Sequence, residues 1–289
     1  MTAMSGAFDW LAVGDVAEER DSDQQRILGG GAARLTAHAA ALKARTALVA
    51  KLGDDDAGQR IFEGLDRLKV DLRWLRRAPG LRTTVWHDPD GAASVRRVER
   101  GADLALRLDE LPPVSTGAAI TVVSGYSLSV EPARSAVLGA LSSARARGGR
   151  AALLLDAQLL WWTNARMAKK VLEPAIAVAD SVALRAADAR VLFGAVDNRQ
   201  ALRLLAEMGP RLVYLAEPDG SVLLREGGRV VACPAGRGDV APRDRFAGAA
   251  AFWVGLAKRT LPRKAAADSI RYAQSVRRAG APRHFHASL

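Results

Sequence analysis

Residues 29–58 read GGGAARLTAHAAALKARTALVAKLGDDDAG, and their order decides the fold. A glycine run opens the stretch and permits a sharp turn or a close backbone approach. Residues 32–42 are alanine-rich and helical in pattern. Residues 46–51, TALVAK, read as an apolar strand. The acids of LGDDDAG, 52–58, stand either as caps on the next helix or at the edge of a polar site. Ile61, Phe62, Leu65 and Leu68 then recur at helical spacing. Helix, strand and helix in that order belong to a crossover unit with parallel strands.

The same alternation runs outward along the chain. Residues 10–13, 120–124 (ITVVS), 151–156 (AALLLD) and 212–215 (LVYL) read as short apolar strands. Helical patterns lie between them at 132–147, 164–171 and 199–208. This predicts an α/β sandwich around a mainly parallel sheet, in one domain across residues 1–289. One region differs. RTTVWHDPDGAASVRRV, 82–98, is two alternating strands around Asp88-Pro89-Asp90-Gly91, a tight-turn signal. It predicts an antiparallel lid hairpin attached to the parallel sheet.

The 289 residues are 49% hydrophobic and 25% charged, enough for a sizeable core with an ordinary surface. The single cysteine, Cys233, sits in a strand-like run and reads as a core residue in a reducing compartment. The chain opens without a signal-peptide pattern, and its longest uncharged stretch, 111–130, is broken by prolines and glycines. A cytoplasmic protein without a membrane span is expected. The net charge of +11 is uneven, and residues 258–286 carry eight basic side chains against Asp268. Only Tyr272 and Phe285 lie among them, a thin platform for stacking bases. The patch reads as a solvated helical face rather than a nucleic-acid surface.

The chemistry concentrates at residues 243–257, RDRFAGAAAFWVGLA. Asp244 is expected in the first turn of a strongly apolar helix. A helix start presents unpaired N–H groups and the positive end of the macrodipole, a seat for phosphate. A carboxylate there either complements the dipole or takes a proton from an attacking hydroxyl. Competing signatures are absent: no GxxxxGK[ST], no HExxH, and no ligand pattern among His38, His87, His284 and His286. GRGDVA, 236–241, matches a dinucleotide fingerprint by letter, but a helix follows where that fold needs a second strand bearing an acid.

Together these landmarks resemble the ribokinase-like, phosphofructokinase B type, carbohydrate kinases across nearly the whole chain. Residues 29–58 resemble the family's first signature, and the triple glycine with GDDDAG is most similar to the sulfofructose kinase branch. RDRFAGA resembles the second signature, with Asp244 on the catalytic base. LVYLAEPDGSVL, 212–223, resembles the nucleotide loop, and SIRYAQSVRRAGAPR, 269–283, the C-terminal helix and its turn. Residues 184–188, LRAAD, fall on the N-x-x-E motif associated with metal and phosphates.

The resemblance implies a three-layer sandwich with a small lid, ATP and Mg²⁺ as cofactors, a sugar as substrate, and a homodimer as one assembly. It implies Asp244 and Arg243 as catalytic residues. Asp15, Glu19, Gly30, Gly31 and Arg34 would line the sugar site. Asp219, Gly220, Ala241 and Ser275 would border the nucleotide, and Asp188 would act on the metal. The departures fall on ligand positions. Arg34 stands near the usual asparagine, Ala241-Pro242-Arg243 replaces the anion-hole glycines, and Tyr214 and Ala216 replace nucleotide-loop residues. Arg185 and Asp188 replace the asparagine and glutamate of N-x-x-E. The segment 14–29 looks shortened, which implies a reduced lid. Two readings follow: a sugar kinase, or an impaired kinase fold that binds a ligand or partner.

Overall fold

The computed structural model describes residues 8–21, 25–87, 95, 97–113, 117–194, 196–235 and 246–279, with side chains in the last segment through Val276. Strands and helices alternate as the sequence predicts. β1 (Phe8–Val13), β2 (Ala17–Arg20) and β3 (Arg26–Gly29) precede α1 (Gly31–Ala41). β4 (Thr46–Gly53), α2 (Asp56–Arg67), β5 (Leu75–Ala78), β6 (Thr84–His87) and β7 (Arg97–Glu99) follow. β8 (Ala118–Ser124), α3 (Ala133–Ala146), β9 (Arg150–Leu154), α4 (Ala165–Val178), β10 (Ser181–Arg185), α5 (Ala186–Phe193) and α6 (Asn198–Glu207) continue the alternation. β11 (Leu212–Ala216), β12 (Val222–Glu226), β13 (Arg229–Cys233), α7 (Ala247–Ala257) and α8 (Pro262–Ala279) complete it.

The main sheet has nine strands in the order β13-β12-β11-β10-β9-β8-β1-β4-β5. From β5 to β11 every pairing is parallel, and β12 and β13 join antiparallel at one edge. The chain builds from β1 toward β4 and β5, then crosses to β8 and builds the other way. Right-handed crossovers in opposite directions place their helices on opposite faces. Accordingly α1, α7 and α8 pack on one another, while α3 to α6 form a second set. The order reverses between β1 and β8, the switch point at which open α/β sheets bind ligands beyond their strand ends.

The core is built on large apolar side chains, several with a polar atom that finds a partner. Trp10 and Trp253 are fully buried, with ring centroids 6.4 Å apart. Their indole N–H groups donate to Thr36 Oγ1 at 3.1 Å and Ser181 Oγ at 2.9 Å. Tyr214 is core as well. It stacks on Phe252 at 4.9 Å and bonds Ser269, and burial pushes its hydroxyl pKa up to about 12. A Cβ at Gly248 would come within 2.7 Å of its hydroxyl oxygen, so that glycine sets how closely α7 approaches β11.

The lid is larger than expected. β6 and β7 pair antiparallel, as the hairpin reading of 82–98 requires, and the turn 88–91 lies outside the described residues. Segment 14–29 contributes two lid strands: β2 and β3 form a second hairpin, and β2 pairs parallel with β6. The result is a four-stranded sheet, β3-β2-β6-β7. Asp55 fastens its root. This residue caps α2 by accepting from Gly58 N–H at 2.9 Å, and also accepts from Thr83 N–H at 2.8 Å and Thr83 Oγ1 at 2.6 Å. The acids of GDDDAG therefore include a helix cap that also anchors the lid.

Candidate active site

Asp15 follows β1 at the switch point. Its buried carboxylate accepts from Gly31 N–H, from Ala32 N–H at 3.3 Å, from Ser124 Oγ and from Ser127 Oγ at 3.0 Å. Burial raises its pKa, and these hydrogen bonds offset part of the rise. Asp15 thus caps α1 from a distance, where the formal N-cap, Gly30, has no side chain. Gly30 has φ +85°, and a Cβ there would lie 2.7 Å from the Asp15 carbonyl oxygen. Asp15 is therefore hydrogen-bonded to Gly31 and lies against Gly30, and the three residues together build the start of α1.

Glu19 and Arg34 meet above them. Arg34 Nη1 donates to Glu19 Oε2 at 3.1 Å, with side chains 9% and 10% exposed. The Arg34 guanidinium also lies 5.0 Å from the centre of the Phe246 ring, a cation–π distance. One arginine therefore joins β2 of the lid, α1 and the residue that begins α7.

Beneath the lid lies an aromatic cluster that the sequence reading missed. Trp86 of β6 packs on Tyr126 and Trp161, each at 5.3 Å, and Tyr126 on Trp161 at 4.9 Å. Arg100 donates to the Trp161 carbonyl at 3.2 Å with its guanidinium 5.8 Å from the Tyr126 ring. Asp103 accepts from Thr84 Oγ1, and burial pushes its carboxyl well above the usual range. Asp103 Oδ2 and Trp161 Nε1 are buried and meet no hydrogen-bond partner among the described residues. The nearest sequence signal was the Trp161-Trp162 pair, which cannot tell which ring faces the lid.

The second half of the site lies at the carboxyl ends of β9, β10 and β11. An open cleft is lined by Asp156, Arg185, Asp188, Tyr214, Ala216 and Ala249 among others. Asp188 lies in the first turn of α5 and is bound bidentately by Arg185, through Nε at 2.9 Å and Nη2 at 3.0 Å. Burial opposes the charge on Arg185, but Asp188, with Asp156 beyond it, outweighs this and raises its pKa. Ala249 brings the first turns of α7 to this cleft, while Phe246 meets Arg34 on the other side.

Asp219 and Gly220 form the turn leaving β11. Asp219 Oδ1 accepts from Ser221 N–H at 2.8 Å, and Gly220 has φ +85°. Ser275 is exposed on α8 and donates to its own helix at the Tyr272 carbonyl, 2.7 Å away. It does not line the cleft. Asp244, Arg243 and Ala241 lie outside the described residues. α7 is described from Ala247, with Phe246 before it, so the expected place of Asp244 in the first turn falls outside the described residues. Asp188 does not suit a metal: its acceptor positions are filled by N–H donors, and the described residues hold no cluster of three or more metal-ligating side chains.

Residues 9–276 match the model of the pfkB family carbohydrate kinases. The chain belongs to that family. It is 28% identical over 229 residues to a fructokinase of Klebsiella pneumoniae, covering 78% of this chain and 74% of that one. It is also 28% identical over 145 residues to a 5-dehydro-2-deoxygluconokinase of Shouchella clausii, covering 48% of this chain and 44% of the other. The fold matches aminoimidazole riboside kinase of Salmonella enterica, solved with aminoimidazole riboside and an ATP analogue, with TM-score 0.84, 21% identity and 94% of each chain covered. It matches fructokinase of Vibrio cholerae, solved with fructose, ADP and calcium, with TM-score 0.79, 21% identity, and 92% and 90% coverage.

Proposed function

We propose that this protein phosphorylates a hydroxyl of a sugar or sugar-like small molecule with ATP as donor. The observation that carries the reading is the position of α7. Its start touches Arg34 through Phe246 on the lid side and the Arg185–Asp188 cleft through Ala249 on the other. A helix N-terminus between an acceptor pocket and a nucleotide cleft is where a phosphoryl group would pass.

Acceptor recognition rests on Glu19 and Arg34, and on the buried polar atoms of Asp103 and Trp161, whose open valences suit a polyhydroxylated ligand. The aromatic cluster supplies apolar faces for a ring. Asp244, two residues before Phe246 in the sequence, is the general base in this reading, removing the proton from the acceptor hydroxyl as it attacks. Arg243 adds positive charge near the transferred phosphoryl group, where Pro242 offers no N–H. Asp219, Gly220 and Ala241 border the nucleotide. Mg²⁺ belongs with the phosphates of the nucleotide rather than with Asp188. A single kinase domain, a homodimeric assembly and a cytoplasmic location complete the proposal. Among the described residues no helix is long and apolar enough to cross a membrane.

The test is ADP release with a panel of ketoses, aldoses, ribosides, sugar acids and sulfonated sugars. Fructokinase and ribosyl-kinase likenesses put fructose and ribosides first, and the sulfofructose likeness adds the sulfonated member. Sugar-dependent ADP release supports the reading. Nucleotide binding without turnover on any member would favour the impaired, ligand-binding alternative.

A further inference from the structure

Asp188 is the residue on which the sequence placed metal chemistry, and its carboxylate is fully engaged. Oδ1 accepts from Arg185 Nη2 at 3.0 Å and from Ala157 N–H at 3.2 Å. Oδ2 accepts from Arg185 Nε at 2.9 Å and from Arg185 N–H at 3.1 Å. A carboxylate offers about four lone-pair sites, so these donors use them all. The side chain is 4% exposed, which leaves no open approach for a hydrated ion.

A divalent ion takes carboxylate oxygen at about 2.0–2.6 Å and would have to displace these N–H groups. It would also meet the guanidinium charge. Arg185 is fixed by its own geometry: backbone and side chain grip the same carboxylate across three residues, and the pair closes the start of α5. The guanidinium remains 27% exposed and lines the cleft. Asp156 lines the same cleft, accepts from Gln158 Nε2 at 2.9 Å, and adds to the field that keeps Arg185 charged. A permanent cation thus stands between two carboxylates.

We propose that Arg185 is a built-in cation that takes the place of a protein-held divalent ion in this cleft, and that its charge faces the phosphate chain of the nucleotide directly. The identity of the anion rests on the kinase reading; the exclusion of an ion from Asp188 does not. Arginine suits this role because it stays charged and its planar fork grips a carboxylate along one edge.

Two titrations on the full chain test it. In the first, MnCl₂ alone is added and free Mn²⁺ is followed by electron paramagnetic resonance. The parent should retain no ion below millimolar concentrations. Arg185→Asn should bind Mn²⁺ at least about tenfold more tightly, and adding Asp188→Asn should remove that gain. Tight Mn²⁺ binding by the parent, lost in Asp188→Asn, would overturn the exclusion. In the second, ADP is titrated calorimetrically in excess EDTA. The parent should bind within about threefold of its affinity with Mg²⁺, Arg185→Lys should retain most of that affinity, and Arg185→Gln should lose about tenfold or more. Binding by the parent only with Mg²⁺, or no change in Arg185→Gln, would overturn the phosphate role. Sugar-dependent turnover judges the kinase reading separately, so an active enzyme with an Asp188-bound ion would refute this inference alone. Circular dichroism on each variant excludes a folding defect.

Discussion

Two arginine–carboxylate pairs flank the start of α7, and they are built differently. Arg34 and Glu19 lie 15 residues apart on α1 and β2, and their one direct bond, at 3.1 Å, joins the lid to the body. Arg185 and Asp188 lie three residues apart within one helix start and share two side-chain bonds and one from the backbone. The first pair depends on tertiary approach and separates if the lid lifts. The second forms with its own local backbone and persists whatever the lid does. In the proposed reading the sugar side is thus the adjustable half of the site and the nucleotide side the fixed half.

The largest expected effect lies between the pairs. Asp244→Asn should reduce kcat by about 10²–10⁴-fold with little change in melting temperature, if Asp244 is the base. Unchanged turnover would remove Asp244 from the chemistry and leave the two halves joined only by structure.

Breaking the pairs sharpens the contrast. Arg185→Ala strands Asp188 in a buried site and should cost about 3–5 kcal/mol of stability. Arg34→Ala removes the bond to Glu19 and the contact with the Phe246 ring, and should cost at least about 1.5–3 kcal/mol. Urea denaturation read by circular dichroism compares them. Arg34→Ala should also raise KM for the sugar more than KM for ATP, and Arg185→Ala the reverse. Equal costs and equal KM changes would erase the distinction between an adjustable and a fixed half.

The smallest effect is a dependence on pH. Burial raises the carboxyl pKa of Asp103 well above its ordinary value. The native state therefore holds that proton more tightly than the unfolded chain, and the associated stability is lost as pH rises through the native pKa. Asp103→Asn keeps an acceptor for Thr84 and has no proton to lose. It should flatten the decline of melting temperature from pH 4 to pH 8 and melt at or above the parent at pH 8. A parallel decline in both proteins would place the pH sensitivity elsewhere.

The parallel sheet was legible because fully buried strands are short apolar runs, as in ITVVS at 120–124. The β2–β3 hairpin was not, because AEER looks like loop. Glu18 is paired in the buried interior by Arg20 and Arg60, the latter from 42 residues away, and Glu19 is reached by Arg34. α4 was read as ending near residue 171, but it continues to Val178 with Pro174 inside. Amphipathic packing there outweighs the proline penalty. At the site, Glu19, Arg34 and Asp188 were visible as residues, but their partners were not. For Asp188 no local pattern could show that N–H donors from both Arg185 and Ala157 occupy its carboxylate. Trp86, Tyr126 and Trp161 come from three separate segments, so no local pattern could assemble them.

The most direct measurement is a crystallographic map of the protein with a non-hydrolysable ATP analogue and its best acceptor sugar. The account predicts the γ-phosphate at the start of α7, the phosphate chain beside Arg185, and the sugar beneath the lid near Glu19 and Arg34. Density for the analogue away from α7, or a metal ion bonded to Asp188 with Arg185 displaced, would contradict it.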